Sequence, residues 1–214
     1  VGLNAGLSVT TGIRNTIIGS LAGDALTDAD YNVAMGYASL STDTLGSRST
    51  AIGFGSLETQ NFTTATDVYN TAVGFSAGNL ITTGIKNTLI GGLAGDSITS
   101  ADFNTAVGYA TLIDNQTGER NVAIGSFALA NATVSDNVAV GASAGVDITT
   151  GADNTLIGSA AGDALTVGNS NVAIGKDALT TDTKGDRNVA IGNASLGTQN
   201  FTSTTDAYNT AVGY

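Results

Sequence analysis

The side chains best suited to chemistry in this chain are carboxylates in recurring Ala-Gly-Asp triplets, at Asp24, Asp96 and Asp163. Two carboxylates can act as general acid and base when they share one cleft. Identical copies along a repeat argue against this, because an enzyme site is normally unique. The chain contains no His and no Cys, which removes the usual bases and zinc ligands. The sequence therefore predicts no catalytic residue and no enzyme.

Cofactor, metal and nucleic-acid sites are not indicated either. The Gly-Gly-x-Gly-x-Asp nonapeptide of calcium-binding β-rolls is missing, so structural calcium is kept only as a minor alternative. We expect no metal ligands and no cofactor. A net charge of −11 repels phosphate backbones, which predicts no nucleic-acid partner. No apolar run approaches the roughly 20 residues of a membrane span, so we expect no membrane insertion of this segment.

These residues lie between copies of a short motif, Asn-[Thr/Val]-[Ala/Ile/Leu]-[Ile/Val/Met]-Gly, that recurs along the whole chain. Successive closing glycines are mostly 17 residues apart, with one step of 16 and two steps of 21. Residues 1–75 align without gaps on residues 140–214, with 46 identical positions at an offset of 139. The sequence predicts one continuous repeat unit over residues 1–214, part of a longer chain. Its coil triplets are 2–53, 74–125 and 141–192, and its long coils are 53–74 and 192–213.

A coil of 17 residues is too short for a helix pair, and its β-branched residues and glycines favour strands. We predict an all-β fold, a parallel β-solenoid (β-roll) of 17-residue coils. The motif reads as one short strand, and the second half of each coil reads as another. Both faces of the motif strand are apolar. One face must fill the interior of the coil, and the other needs a partner, so we predict a side-by-side homo-oligomer, a homotrimer in particular.

Two columns of residues stack from coil to coil in this arrangement. Asn side chains about 4.8 Å apart can form an amide ladder. The ladder consists of Asn15, Asn32, Asn70, Asn87, Asn104, Asn121, Asn137, Asn154, Asn171 and Asn188. The residues just before the motif place cations next to aromatic rings, which predicts cation–π contacts between coils. This column contains Arg14, Tyr31, Arg48, Tyr69, Lys86, Phe103 and Arg120, and Arg120 is expected to meet Asp136.

Two further features could contact another molecule. The 21-residue coils carry insertions with Phe62 and Phe201, which are candidates for contact loops because insertions in solenoids leave as loops. They could equally cover the edge of a neighbouring chain. A threonine column that includes Thr10, Thr27 and Thr44 raises ice binding as an alternative, although a solvated β-face is the simpler interpretation.

The repeated NTAVG, NVAIG and NTLIG blocks, each followed by Ala-Gly or Ala-Leu, resemble the head repeats of trimeric autotransporter adhesins of the YadA-like, hemagglutinin type. Related repeats occur in phage tail fibres and giant bacterial surface proteins. The resemblance implies a left-handed β-roll, three chains side by side, export to a cell or virion surface, and binding to host matrix or cells. The coil is longer here than in that family, and the 139-residue period is additional.

The sequence as a whole predicts a structural and adhesive segment of a long extracellular fibre at the cell surface, with an unidentified cell-surface or matrix receptor. The first alternative is the shaft of a bacteriophage tail fibre. The second is an ice- or surface-binding solenoid, which requires a flat and regular face.

Overall fold

The computed structural model describes residues 1–214, and the chain forms a parallel β-solenoid without helices. Each repeat of the motif contributes one three-residue strand to a single sheet of 12 parallel strands. These strands are β1 (Thr16–Ile18), β2 (Val33–Met35), β4 (Thr50–Ile52), β6 (Thr71–Val73), β7 (Thr88–Ile90), β8 (Thr105–Val107), β9 (Val122–Ile124), β10 (Val138–Val140), β11 (Thr155–Ile157), β12 (Val172–Ile174), β14 (Val189–Ile191) and β16 (Thr210–Val212). No helix in the structure is long and apolar enough to cross a bilayer.

Strand pairing follows the repeat, so that equivalent residues lie directly above one another. Ala34 pairs with Ala51, and Ala106 pairs with Ala123. The longer and shorter coils are accommodated without a shift of register, since Thr50 pairs with Thr71 and Val122 with Val138. The extra or missing residues are therefore absorbed between strands.

The second half of the coil is a series of turns, which corrects the prediction of a second strand in every coil. Only the coils around the two insertions have additional strands: β3 (Gly46–Ser47) pairs with β5 (Thr66–Asp67), and β13 (Gly185–Asp186) pairs with β15 (Thr205–Asp206). Residues such as Leu21 and Leu40 adopt positive φ here, at 58° and 52°. This left-handed conformation breaks an extended chain at each corner. Hydrogen bonds between coils stabilise it: the Leu21 N–H donates to the Leu3 carbonyl at 2.9 Å, and the Leu40 N–H donates to the Ser56 carbonyl at 3.0 Å.

The glycine that closes each motif has a specific structural reason. Gly53 has φ +132°, and a Cβ atom there would lie 2.7 Å from the carbonyl carbon of Gly74 in the next coil. Only glycine tolerates both this dihedral and this approach of two backbones. The equivalent glycines repeat that environment, which explains why the motif always ends in the same residue.

The core is a narrow column inside the coils, formed by 30 buried residues that are mostly Ala and Leu. The middle residue of each strand points into it. Where that residue is large, as in Leu89 and Leu156, the neighbouring turns carry Gly95 and Gly162, whose Cβ positions these leucines already occupy. Large and small residues thus compensate each other between turns at close packing.

Candidate functional site

The outer face of the 12-stranded sheet carries a column of partly exposed apolar side chains along the stack. The sequence left open which apolar side of the strand points inward; the middle Ala or Leu is buried, so the first and third residues face outward. The third residues are β-branched apolar side chains, or Met35, and many are exposed. Those with the highest exposure inside the stack, 36–43%, are Ile18, Ile90, Ile124, Ile157, Ile174 and Ile191. In a monomer this apolar surface would be exposed to water. Its burial against a partner would be favourable.

Aromatic residues border this outer face over part of its length. The aromatic stripe consists of Tyr37, Phe54 and Phe75, each directly after a closing glycine. Their ring centroids are 5.2 and 5.4 Å apart, with interplanar angles of 16° and 14°. The three side chains are nevertheless 49%, 49% and 58% exposed. Because the rings stack on one another, their edges rather than their faces are presented to a partner.

The cation and aromatic column forms the contacts expected from its alternation. Arg48 lies between two rings, with its guanidinium carbon 4.8 Å from the Tyr31 ring centroid and 5.8 Å from that of Tyr69. Arg14 lies over Tyr31 at 5.1 Å and also donates to its hydroxyl group, and Lys86 lies over Phe103 at 4.9 Å. Each of these contacts joins adjacent coils.

The same column contains ion pairs that occupy most of its cations. Arg120 binds Asp136 through two hydrogen bonds of 2.7 and 2.9 Å, and it also contacts Glu119. The Arg120 guanidinium holds the pKa of Asp136 below its usual value. Arg48 pairs with Asp67 at 2.7 Å, and Arg187 pairs with Asp206. These side chains therefore connect coils and are not free to bind an anionic ligand.

The Asn residues stack as a buried ladder, but most of its bonds go to the backbone. The amide oxygen of Asn87 accepts a hydrogen bond from the backbone N–H of Asn104 at 2.9 Å, and its amide nitrogen donates to the Ala101 carbonyl at 2.8 Å. Bonds between the amides themselves are longer, such as 3.2 Å from Asn121 to Asn104. The ladder residues from Asn15 to Asn171 thus satisfy backbone groups of the next coil, where the sequence predicted mainly amide–amide bonds.

The threonine column is also engaged within the solenoid. The Thr27 hydroxyl donates to the Thr44 carbonyl at 3.0 Å, and Thr82 donates to Thr99 in the same way at 3.1 Å. A hydroxyl that donates to the next coil has lost its donor for ice or another ligand. This column therefore stabilises coil stacking.

A polar cluster inside the first long coil is the feature that sequence reasoning missed. Asp43 is fully buried, and it accepts hydrogen bonds from the Gly46 and Phe62 backbone N–H groups at 3.0 Å and from the Gln60 amide at 2.6 Å. Gln60 in turn accepts from Asn70 at 2.9 Å. Burial raises the pKa of Asp43 above its usual value, and these hydrogen bonds oppose that rise. The cluster anchors both ends of the insertion.

The signal for this cluster was present in the repeat. Asp43 and Gln60 belong to an interior column that otherwise holds mainly Leu, Ile or Val. The column consists of Val9, Leu26, Asp43, Gln60, Ile81, Ile98, Asn115, Ala132, Ile148, Leu165, Asp182 and Gln199. Its Asp and Asn members stand one coil before each coil of irregular length. In each case the side chain accepts from the N–H of a glycine three residues later, at 2.8–3.0 Å.

The structure corrects the expectation that the insertion phenylalanines are exposed contacts. Phe62 is only 9% exposed, because its loop folds back over Asp43. Phe201 is half-buried in the equivalent loop. Within the first insertion the exposed residues are Thr63, Thr64 and Ala65.

The recurring carboxylates are not brought together. Asp24, Asp96 and Asp163 lie in coils that are four strand steps apart, and no group of three acidic side chains is positioned to hold a metal ion. One oxygen of Asp24 has no partner, burial raises the pKa of Asp96, and Asp163 accepts from the Thr180 hydroxyl at 2.5 Å. The surface contains no pocket around them.

The chain was compared with family models, curated proteins and solved structures, and none of them matches it.

Proposed function

We propose that this chain is a structural and adhesive segment of a long extracellular fibre, built from three copies packed side by side with their outer faces toward a common axis. The coil is taken to be left-handed, as the resemblance implies. The outer face carries this proposal, because it is an apolar, in-register surface that one chain leaves exposed. Self-association is the simplest way to cover a face that repeats identically along its length.

The size of the face is sufficient for a stable interface. Twelve strands at about 4.8 Å give a height of about 53 Å, and two outward columns with their margins give a width of about 13 Å. The product is about 700 Å² on each copy, so that a closed trimer buries about 2,100 Å² in total, above the roughly 1,600 Å² of a standard two-partner interface.

The function of such a segment is length and stiffness. Each coil contacts only its neighbours, so stability adds up along the stack and the fibre can be extended by further coils. Adhesion would then be mediated by exposed surfaces that face away from the axis. These surfaces would bind a cell-surface or matrix receptor. The same architecture would serve as the shaft of a phage tail fibre.

The first experiment is the mass of the chain in solution, measured by light scattering after size exclusion at 0.15 M salt, where repulsion between acidic chains is screened. We expect about three times the chain mass of 21.1 kDa. Ile124→Asp, in the centre of the outer face, should give a monomer, whereas the control Thr117→Asp, on an exposed turn, should not. A folded wild-type monomer at micromolar concentration would contradict the proposal.

One observation favours an ice-binding function as the second candidate. The first outward residues of the strands are Thr or Val, with four consecutive Thr at Thr50, Thr71, Thr88 and Thr105, and the hydroxyls of Thr88 and Thr105 donate no hydrogen bond within the chain. A monomer with thermal hysteresis would support this function. A trimer that buries the face would exclude it.

A further inference from the structure

The proposed side-by-side packing raises a question of register that the repeat itself does not answer. The outer face repeats at every coil, with Ile or Val above Ile or Val. A copy displaced along the axis by one coil, about 4.8 Å, would find nearly the same surface. Only an unshifted contact gives a closed three-fold ring, because a shift that repeats around the ring does not close. Some non-repeating feature of the face must therefore select the unshifted arrangement.

The aromatic stripe is such a feature, since the two halves of the chain differ at two of its three positions, whereas Phe75 corresponds to Tyr214. At an offset of 139 residues, Tyr37 and Phe54 correspond to Lys176 and Asn193. Those polar residues occupy the same position of a coil with the same strands, so the fold does not require the rings. Rings that the coil does not need, and that remain about half exposed, are free to contact another molecule.

The position of the stripe determines its partner. Tyr37 lies two residues after Met35, a member of the outer face, which places the two Cα atoms within about 7 Å. The rings thus continue the apolar face at its margin, where neighbouring copies meet in a side-by-side trimer. The coil before the stripe has Ser20 at this position and the coil after it has Gly92. A shift of one coil would therefore place a ring against Ser or Gly and leave another ring uncovered.

We propose that the aromatic stripe sets the axial register of the assembly, by packing against the same three rings of a second copy of this chain. The inference rests on the proposed side-by-side function. In this arrangement Tyr37, Phe54 and Phe75 determine the axial register of the contact, and the Ile and Val columns supply its affinity.

The test measures axial displacement between copies. The chain has no Cys, so one population can be labelled through Thr11→Cys and a second through Thr117→Cys, with orthogonal spin labels; both positions are exposed and lie six coils apart. The distance between labels on different copies contains this axial separation, about 29 Å. Each slipped coil lengthens or shortens the axial part by about 4.8 Å. Pulsed electron resonance on the mixed assembly then reports the register directly.

The test variant is Tyr37→Lys with Phe54→Asn, which installs the residues that the second half already carries. We expect one dominant distance for the wild-type background and an at least three-fold larger share of displaced distances for this variant. The matched control, Lys176→Tyr with Asn193→Phe, changes the same column and should keep one distance. An assembled variant with an unchanged distance distribution would overturn the register role alone. A wild-type chain that does not assemble would overturn the proposed packing as well.

Discussion

The two ends of this chain, residues 1–75 and 140–214, have related sequences and can be compared position by position. Positions at which the two ends carry the same residue include those that build the coil. Examples are the closing glycines, Asp43 with Asp182, and Gln60 with Gln199. Asp182 repeats the cluster of Asp43, accepting from Gly185 and Phe201 N–H groups at 3.0 and 3.1 Å and from Gln199 at 2.6 Å. Where the ends differ, the change lies mainly on the surface or beside this cluster. Agreement therefore includes the positions that build the coil, and difference identifies positions that the coil leaves free to vary.

The largest loss of stability is expected at a position where the two ends carry the same residue. Gly53→Ala forces an L-residue to φ +132° and places its Cβ against the Gly74 backbone. We expect a loss of more than about 3 kcal/mol in the free energy of unfolding, measured by denaturant titration. Gly92→Ala is the control, because its Cβ would only touch the Tyr109 ring at 3.6 Å; the expected change is within about 0.5 kcal/mol. Similar losses for both would show that the closing glycine has no special role.

The buried cluster is expected to give the next largest effect. Asp43→Ala leaves two backbone N–H groups without an acceptor and removes one of the two acceptors of the Gln60 amide, which should cost about 3 kcal/mol. Asp182→Ala should cost less, because Gln199 and Phe201 are only half-buried and water can reach the released donors. Amide hydrogen exchange at residues 62 and 201 would measure the loss of local stability in each of the two long coils. Equal losses would mean that burial does not distinguish the two long coils.

The raised pKa of Asp43 gives a pH dependence with a definite sign. Because the folded state holds this proton at pH values where the unfolded chain has lost it, stability falls as pH rises above about 4, through the folded pKa. Asp43→Asn removes the titration and adds only a pH-independent offset. The difference in unfolding free energy between wild type and this variant should therefore shift against the wild type as pH rises from 4 to 7. A constant difference would show that the donors around Asp43 cancel the effect of burial.

A smaller change in stability is expected at the position where the first end has Ser49 and the second end has Asn188. The Gln60 amide donates to the Ser49 hydroxyl at 3.0 Å, whereas the side-chain oxygen of Asn188 is buried without a partner. We expect Ser49→Asn to destabilise by about 1 kcal/mol and Asn188→Ser to be neutral or stabilising by less than that. Thermal unfolding of both single variants and of the double exchange would measure this. Opposite signs would mean that the unpaired oxygen carries no cost.

The smallest effect is expected in the cation column. Arg48 lies between two rings, but Arg187 lies over Tyr208 alone, since Ser170 stands where the first half has Tyr31. Both pair with an aspartate. Arg48→Gln should lower the unfolding midpoint slightly more than Arg187→Gln. An identical shift for the two variants would show that the second ring contributes nothing.

Sequence periodicity was enough to predict the parallel β-solenoid, because every coil repeats the same strand and glycine. The contacts of Arg48 and Arg120 also followed from stacking positions 17 or 16 residues apart. The turns were mistaken for a second strand, since residues such as Leu21 adopt positive φ that no propensity favours. The buried Asp43 was overlooked because its three donors are two backbone groups and a distant Gln, which become neighbours only once the long coil is closed.

The direction of the hydrogen bonds between coils determines how such a solenoid responds to a pulling force. Because the strands stack along the axis, tension on the ends acts along the hydrogen bonds of each coil boundary in series. The weakest boundary then opens first, while the others remain intact. A detached 17-residue coil lengthens the chain by roughly 50 Å, and a 21-residue coil by roughly 65 Å. The polar clusters at the long coils thus stand at the boundaries where the largest single extensions would be released, and their strength sets how much force the solenoid bears before it lengthens there.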